Sequence, residues 1–100
     1  MIHRDLKPAN IMLESKKDYA QAKLIDLGTA LYMKDKEQYK NQFIGTLSYI
    51  APEIFKREGY DKPIDMWACG VICYQVIHAE LPFPGHFDKQ VMTQVCSGEY

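Results

Sequence analysis

Residues 3–10 read His3-Arg4-Asp5-Leu6-Lys7-Pro8-Ala9-Asn10, which places four charged or titratable side chains, a proline and an asparagine in eight positions. The apolar residues of this stretch follow neither the strand period nor the helix period, and Pro8 is unsuited to a helix interior or a central strand. What remains is a tight loop that presents polar groups. The rest of the chain has to say what it presents them to.

Working outward, residues 11–13 and 22–25 are short apolar runs, and residues 14–21 between them are polar and turn-like. A two-stranded hairpin fits this pattern and delivers Asp26 at the end of its second strand. Residues 29–43 carry many charges and no sustained period, as a long surface loop does, and loops of that length are usually functional or mobile. Pro52 can open a short helical turn through Phe55. After a linker over residues 59–62, Pro63 stands where a helix can begin.

Residues 64–79 are apolar nearly all round, and a helix without a wet face is a central one. Trp67, Tyr74 and Ile77 are expected in its core, and Cys69 and Cys73, on one helical face, are expected as buried reduced thiols. Pro82-Phe83-Pro84-Gly85 stops regular structure. Asp88 is then expected to cap a last amphipathic helix, with Val91, Met92 and Val95 on one face and Gly98 at its end. His78 and His86 lack a ligand partner at useful spacing.

One hundred residues make one small domain or a piece of a larger one. Hydrophobic residues at 47% and charged residues at 25% describe a globular chain. A net charge of −1 provides no field for nucleic acid or an anionic membrane. The basic clusters at residues 16–17 and 34–40 read as solvated loop. Residues 64–79 include Asp65, Gln75 and His78, too short and too polar a run for a membrane span. The first two residues lead straight into the charged loop, which argues against a signal peptide. Three cysteines with no C-x-x-C pair argue against a disulfide framework or a zinc site. An intracellular, cytoplasmic chain is expected.

Asp5 and Asn10 flank the opening loop and Asp26 follows the hairpin. Two carboxylates and an amide oxygen are hard ligands that suit Mg²⁺, which shares its shell with phosphates and water. Lys7 is a point charge suited to a phosphate. The plainer alternative is a satisfied polar turn in which Asp5 and Asn10 bond their own backbone.

Together these residues resemble a known family. HRDLKPAN is similar to the H-R-D-L-x-x-x-N loop of eukaryotic protein kinases, Asp26-Leu27-Gly28 stands in the place of D-F-G, and Ala51-Pro52-Glu53 matches A-P-E. Asp65, Trp67 and Gly70 match the D-x-W-x-x-G pattern of the family's central helix. Order and spacing agree with the family across the whole chain. Lys7, with Thr46 in Gly45-Thr46-Leu47-Ser48-Tyr49, resembles the serine/threonine type. The segment from Gly45 to Glu53, the PFPG stretch and the final VCSGEY resemble the calcium/calmodulin-dependent group.

The resemblance implies an α+β, partial kinase-like fold: a mainly helical C-terminal lobe with a short β-hairpin bearing the catalytic and metal-binding loops. It implies that Asp5 accepts the proton of a protein Ser/Thr hydroxyl and that Lys7 offsets charge on the phosphoryl group transferred from ATP. It implies that Asn10 and Asp26 hold Mg²⁺, and that Met12 lies beneath the adenine, the alternative for Met12 being strand core. His3 and Leu27 would stack in a regulatory column, and Asp65 would anchor the loop backbone. A regulatory protein or calmodulin-like partner would act through segments outside these residues.

There are departures from the pattern. Leu27 replaces the phenylalanine of D-F-G, and Gln42 stands where many kinases carry a phosphorylatable threonine that pairs with the arginine of H-R-D. Arg4 is therefore expected without its usual phosphate partner. The six glycines never lie closer than eleven positions, so there is no Gly-rich phosphate loop. That loop, the phosphate-contacting lysine and its helix glutamate would belong to an absent N-terminal lobe, so residues 1–100 read as a partial kinase domain. The competing reading is a non-catalytic truncated kinase or pseudokinase fragment that serves as an interaction module.

Overall fold

The computed structural model describes residues 1–32 and 42–100. The basic run at residues 34–40 and most of the long loop expected over residues 29–43 lie outside the described residues. Pro8 opens a single 3-10 turn, Pro8–Asn10, where its missing N–H costs nothing. Strands β1 (Ile11–Leu13) and β2 (Ala22–Leu24) then pair antiparallel, with Ile11 opposite Leu24 and Leu13 opposite Ala22. The expected hairpin is present, with its second strand closing at Leu24. Another 3-10 turn, Leu27–Thr29, carries the chain back so that Leu31 bridges Ile2 through two 2.8 Å backbone bonds.

Helix α1 (Pro52–Phe55) and helix α2 (Pro63–His78) each start on the proline that the sequence marks. A third helix, α3, spans Asp88–Ser97 and ends on Gly98 at φ 74°, the left-handed stop that glycine adopts freely. Asp88 is the first residue of α3 rather than its cap. Phe87 precedes the helix and no side chain closes its end.

Two apolar clusters hold these pieces together. Ile2, Ile50, Ala51, Ile54 and Ile64 form one, and Phe83, Val91 and Val95 the other. Phe55 and Trp67 touch both, and Trp67 stacks nearly parallel on Phe83 with ring centroids 6.0 Å apart. Helix α2 buries the stripe Ile64, Ala68 and Val71, at the spacing of one helical face.

Elsewhere on this helix large apolar side chains stay exposed. Met66, Val76 and Ile77 are 71%, 76% and 75% exposed, so Ile77 is not core. Cys73 is exposed and Cys69 only partly covered, so the buried-thiol expectation fails for Cys73, although all three cysteines are free thiols. The physical reason is the shape of the molecule, 41 × 34 × 18 Å, thin enough that the turn Leu47–Tyr49 and the two apolar clusters cover one face of α2. The accessible surface, 7050 Å², exceeds the roughly 5,800 Å² of a compact monomer of this mass. Among the described residues no helix is long and apolar enough to cross a membrane.

Candidate active site

The opening loop is fixed from beneath by Asp65, on the first turn of α2. Its carboxylate accepts the backbone N–H of His3 at 2.8 Å and of Arg4 at 3.0 Å. Arg4 has φ 70°, a left-handed backbone that costs a non-glycine residue energy and persists only where surrounding bonds impose it. Asp65 supplies those bonds, in the anchoring role that the resemblance implies.

His3 is buried and supports the next residue. Its Nε2 lies 3.0 Å from the Ile25 carbonyl, and its Nδ1 accepts the N–H of Asp5 at 3.2 Å. A carbonyl can only accept, so Nε2 carries the proton and both contacts are met by the neutral Nε2–H tautomer. Thr29 Oγ1 adds a bond to the His3 carbonyl at 3.1 Å. Leu27 is exposed and is not part of either buried cluster.

The polar side chains converge above this base. Thr46, immediately before the 3-10 turn Leu47–Tyr49, donates its hydroxyl to Asp5 Oδ1 at 2.7 Å and accepts from Lys7 Nζ at 2.9 Å. Lys7 Nζ also lies 3.7 Å from Asp5 Oδ2. Buried Asn10 donates its side-chain nitrogen to the Asp5 carbonyl at 2.9 Å and, more weakly, to Asp5 Oδ2 at 3.5 Å. The polar-turn reading is thus realised in part, since Asn10 does bond the loop backbone. Asp5 itself reaches across to Thr46.

Asp26 stands apart from this cluster. It is exposed, at φ 59°, and its Oδ1 accepts the N–H of Gly28 at 3.3 Å. The Asn10 carbonyl accepts the N–H of Ile25 at 2.9 Å, so backbone ties Asp26's neighbour to the loop. Met12 is 54% exposed on β1, which rules out strand core among the described residues.

Two contacts were not expected. The Thr46 hydroxyl joins Asp5 to Lys7, a link that its place in Gly45-Thr46-Leu47 alone does not reveal. Gln42 is a direct partner of Arg4, whose Nη1 donates to Gln42 Oε1 at 3.0 Å and to Tyr60 Oη at 3.1 Å, while Nε donates to the Thr29 carbonyl. Among the described residues, the arginine expected without its phosphate finds uncharged acceptors in Gln42, Tyr60 and Thr29.

Comparison with known proteins places the chain in a family. The family model described as protein kinase domain matches residues 1–99. The chain is 41% identical over all 100 residues to proteins named calcium/calmodulin-dependent protein kinase type II from Caenorhabditis briggsae and Caenorhabditis elegans. It is 40% identical to the type II subunit delta from Oryctolagus cuniculus. It spans only 14% to 19% of the length of these relatives. With a match along nearly its whole length, the chain belongs to the protein kinase family and is similar to its calcium/calmodulin-dependent type.

Proposed function

We propose that residues 1–100 are the first part of the C-terminal lobe of a serine/threonine protein kinase that transfers the γ-phosphoryl group of ATP to a protein Ser or Thr hydroxyl. The observation that supports it most is the Asp5–Thr46–Lys7 arrangement. Phosphoryl transfer asks a protein for positioning and charge neutralisation rather than covalent chemistry. Asp5 orients the substrate hydroxyl and accepts its proton as the oxygen attacks. Thr46 fixes one carboxylate oxygen, and Lys7 lies close enough to the other to share the field with the arriving phosphoryl group.

The donor set also suits Mg²⁺. The Asn10 side-chain nitrogen is committed to Asp5, which leaves the amide oxygen as the atom able to ligate. The exposed Asp26 carboxylate, beyond the hairpin's end, would supply a second hard oxygen donor. When bound, the ion neutralises charge on the ATP phosphates. Met12 offers an exposed apolar side chain for the adenine. The Gly-rich loop and phosphate-contacting lysine would come from chain outside residues 1–100. By likeness to relatives whose names include calmodulin, a calmodulin-like regulator would also act outside them, in an intracellular, cytoplasmic setting.

The test is phosphotransfer by the full-length protein to peptides that differ only in a Ser, Thr or Tyr acceptor, with and without Mg²⁺. Mg²⁺-dependent labelling of the Ser and Thr peptides is the expected result. An intact, nucleotide-binding protein that labels none of them would instead favour the interaction-module reading.

A further inference from the structure

We infer that Gln42 is a positioning residue for the phosphotransfer site, a built-in neutral clamp on Arg4 that holds the Asp5 loop against the 42–46 segment without a phosphate. The inference rests on the kinase reading and names how that site is kept in register.

Contacts at three places tie residues 42–46 to residues 4–7. At one end Gln42 Oε1 accepts from Arg4 Nη1 at 3.0 Å. At the other end the Thr46 hydroxyl bonds Asp5 and Lys7. Between them the backbone of Gly45 lies against Arg4 so closely that a Cβ there would meet the Arg4 carbonyl oxygen at 2.9 Å, and its φ of 111° also excludes an ordinary side chain. Gln42 therefore fixes the end of a segment whose other end sets the Asp5 carboxylate. If that end loosens, Thr46 loses its register on Asp5.

The guanidinium is suited to this task. It is planar and always charged, and its fixed fork of donors spreads over acceptors from three separate parts of the chain: Thr29, Gln42 and Tyr60. Each of these acceptors is uncharged. The Arg4 backbone is fixed independently by Asp65 Oδ1, so the side chain works from a rigid base. A neutral amide in this position gives a permanent clamp, whereas a hydroxyl would need phosphorylation to present comparable acceptors.

Gln42 is exposed, so its loss should barely move global stability and should act on turnover instead. That separates positioning from a merely structural role. Gln42→Met keeps the length and removes the acceptor; Gln42→Glu keeps an acceptor. In the full-length protein, Gln42→Met is expected to lower kcat by about tenfold or more, because small misplacements of a reacting group are costly. The KM for ATP should stay within about twofold. Amide exchange over residues 43–49 should accelerate, and Gln42→Glu should restore most of both.

Unchanged kcat in Gln42→Met overturns the inference, and so does a loss that Gln42→Glu fails to recover. A kcat loss without faster exchange overturns it as well, because the effect would then bypass the segment. Exchange reads the clamp independently of activity. If the wild-type protein transfers no phosphate yet Gln42→Met still loosens residues 43–49 and Gln42→Glu restores them, the kinase reading fails and the clamp stands. If the wild-type protein is active and exchange is unmoved, the clamp alone fails.

Discussion

The Thr46 hydroxyl donates to Asp5 Oδ1 at 2.7 Å across 41 positions of sequence. It also accepts from Lys7, so one hydroxyl spends its only proton on the carboxylate and a lone pair on the ammonium. Both partners are thereby held in a single arrangement, one that suits a proton acceptor beside a phosphate-neutralising cation.

Removing that hydroxyl at nearly constant volume should therefore slow chemistry more than it weakens binding. In the full-length protein, Thr46→Val is expected to lower kcat by about ten- to a hundredfold, since a hydrogen bond to a charged group is worth about 1.5–3 kcal/mol. Thr46→Ser, which keeps the hydroxyl, should retain most of the rate. Steady-state kinetics with a peptide acceptor decide the matter, and equal rates for Val and Ser would show that the hydroxyl is not needed.

Asp65 makes a different kind of contribution. Its two oxygens satisfy the backbone N–H groups of His3 and Arg4. Asp65→Ala leaves both donors without an acceptor, at about 1–3 kcal/mol each. In a domain of kinase size each kcal/mol shifts the melting temperature by about 2–4 °C. Thermal unfolding should fall by several degrees, with a smaller loss for Asp65→Asn. An unchanged transition in the Ala variant would contradict the anchoring role.

The two cysteines of α2 should differ in reactivity. Burial, chiefly, pushes the Cys69 thiol above its ordinary range, and the nearby Asp65 and Cys73 add to the rise. A raised folded-state value means that the protonated form favours the native state. This contribution is present below the ordinary thiol range and is lost as pH climbs through the folded value. At mildly alkaline pH, alkylation read by mass spectrometry should therefore modify exposed Cys73 before Cys69. Faster modification of Cys69 in the folded protein would refute this.

Residues 1–100 expressed alone should neither transfer phosphate nor behave as a tight monomer. Met66, Val76 and Ile77 lie open on α2, and covering each is worth roughly 1.5–3 kcal/mol. That is a large share of a typical stability of about 5–15 kcal/mol. Sedimentation should reveal association, and unfolding should be broad. A monomer that unfolds sharply and phosphorylates a peptide above background would contradict this expectation.

The punctuation of the fold was plain in the sequence. Pro52 and Pro63 announce helix starts, Gly98 announces a stop, and the polar stretch between two apolar runs announces the hairpin. Asp65 could be assigned to the loop backbone because it sits at a fixed place in a recognisable pattern. The exposure of Ile77 and Cys73 was not legible, because a helix that is apolar all round has no phase to mark its buried stripe. Nor were the partners of Thr46 and Gln42. Each bond spans about forty residues, and local periodicity carries no information about contacts that only the folded chain brings together.

The central claim is that Asp5 acts on the substrate hydroxyl, and Asp5→Asn in the full-length protein tests it most directly. Asparagine keeps the shape and removes the proton-accepting charge. The measurement is phosphotransfer to a Ser or Thr peptide alongside equilibrium binding of ATP with Mg²⁺. The account predicts that turnover falls by about a hundredfold or more, as expected when a positioned proton acceptor is lost, while nucleotide affinity stays close to wild type. Near-normal phosphotransfer by the Asn variant would contradict it.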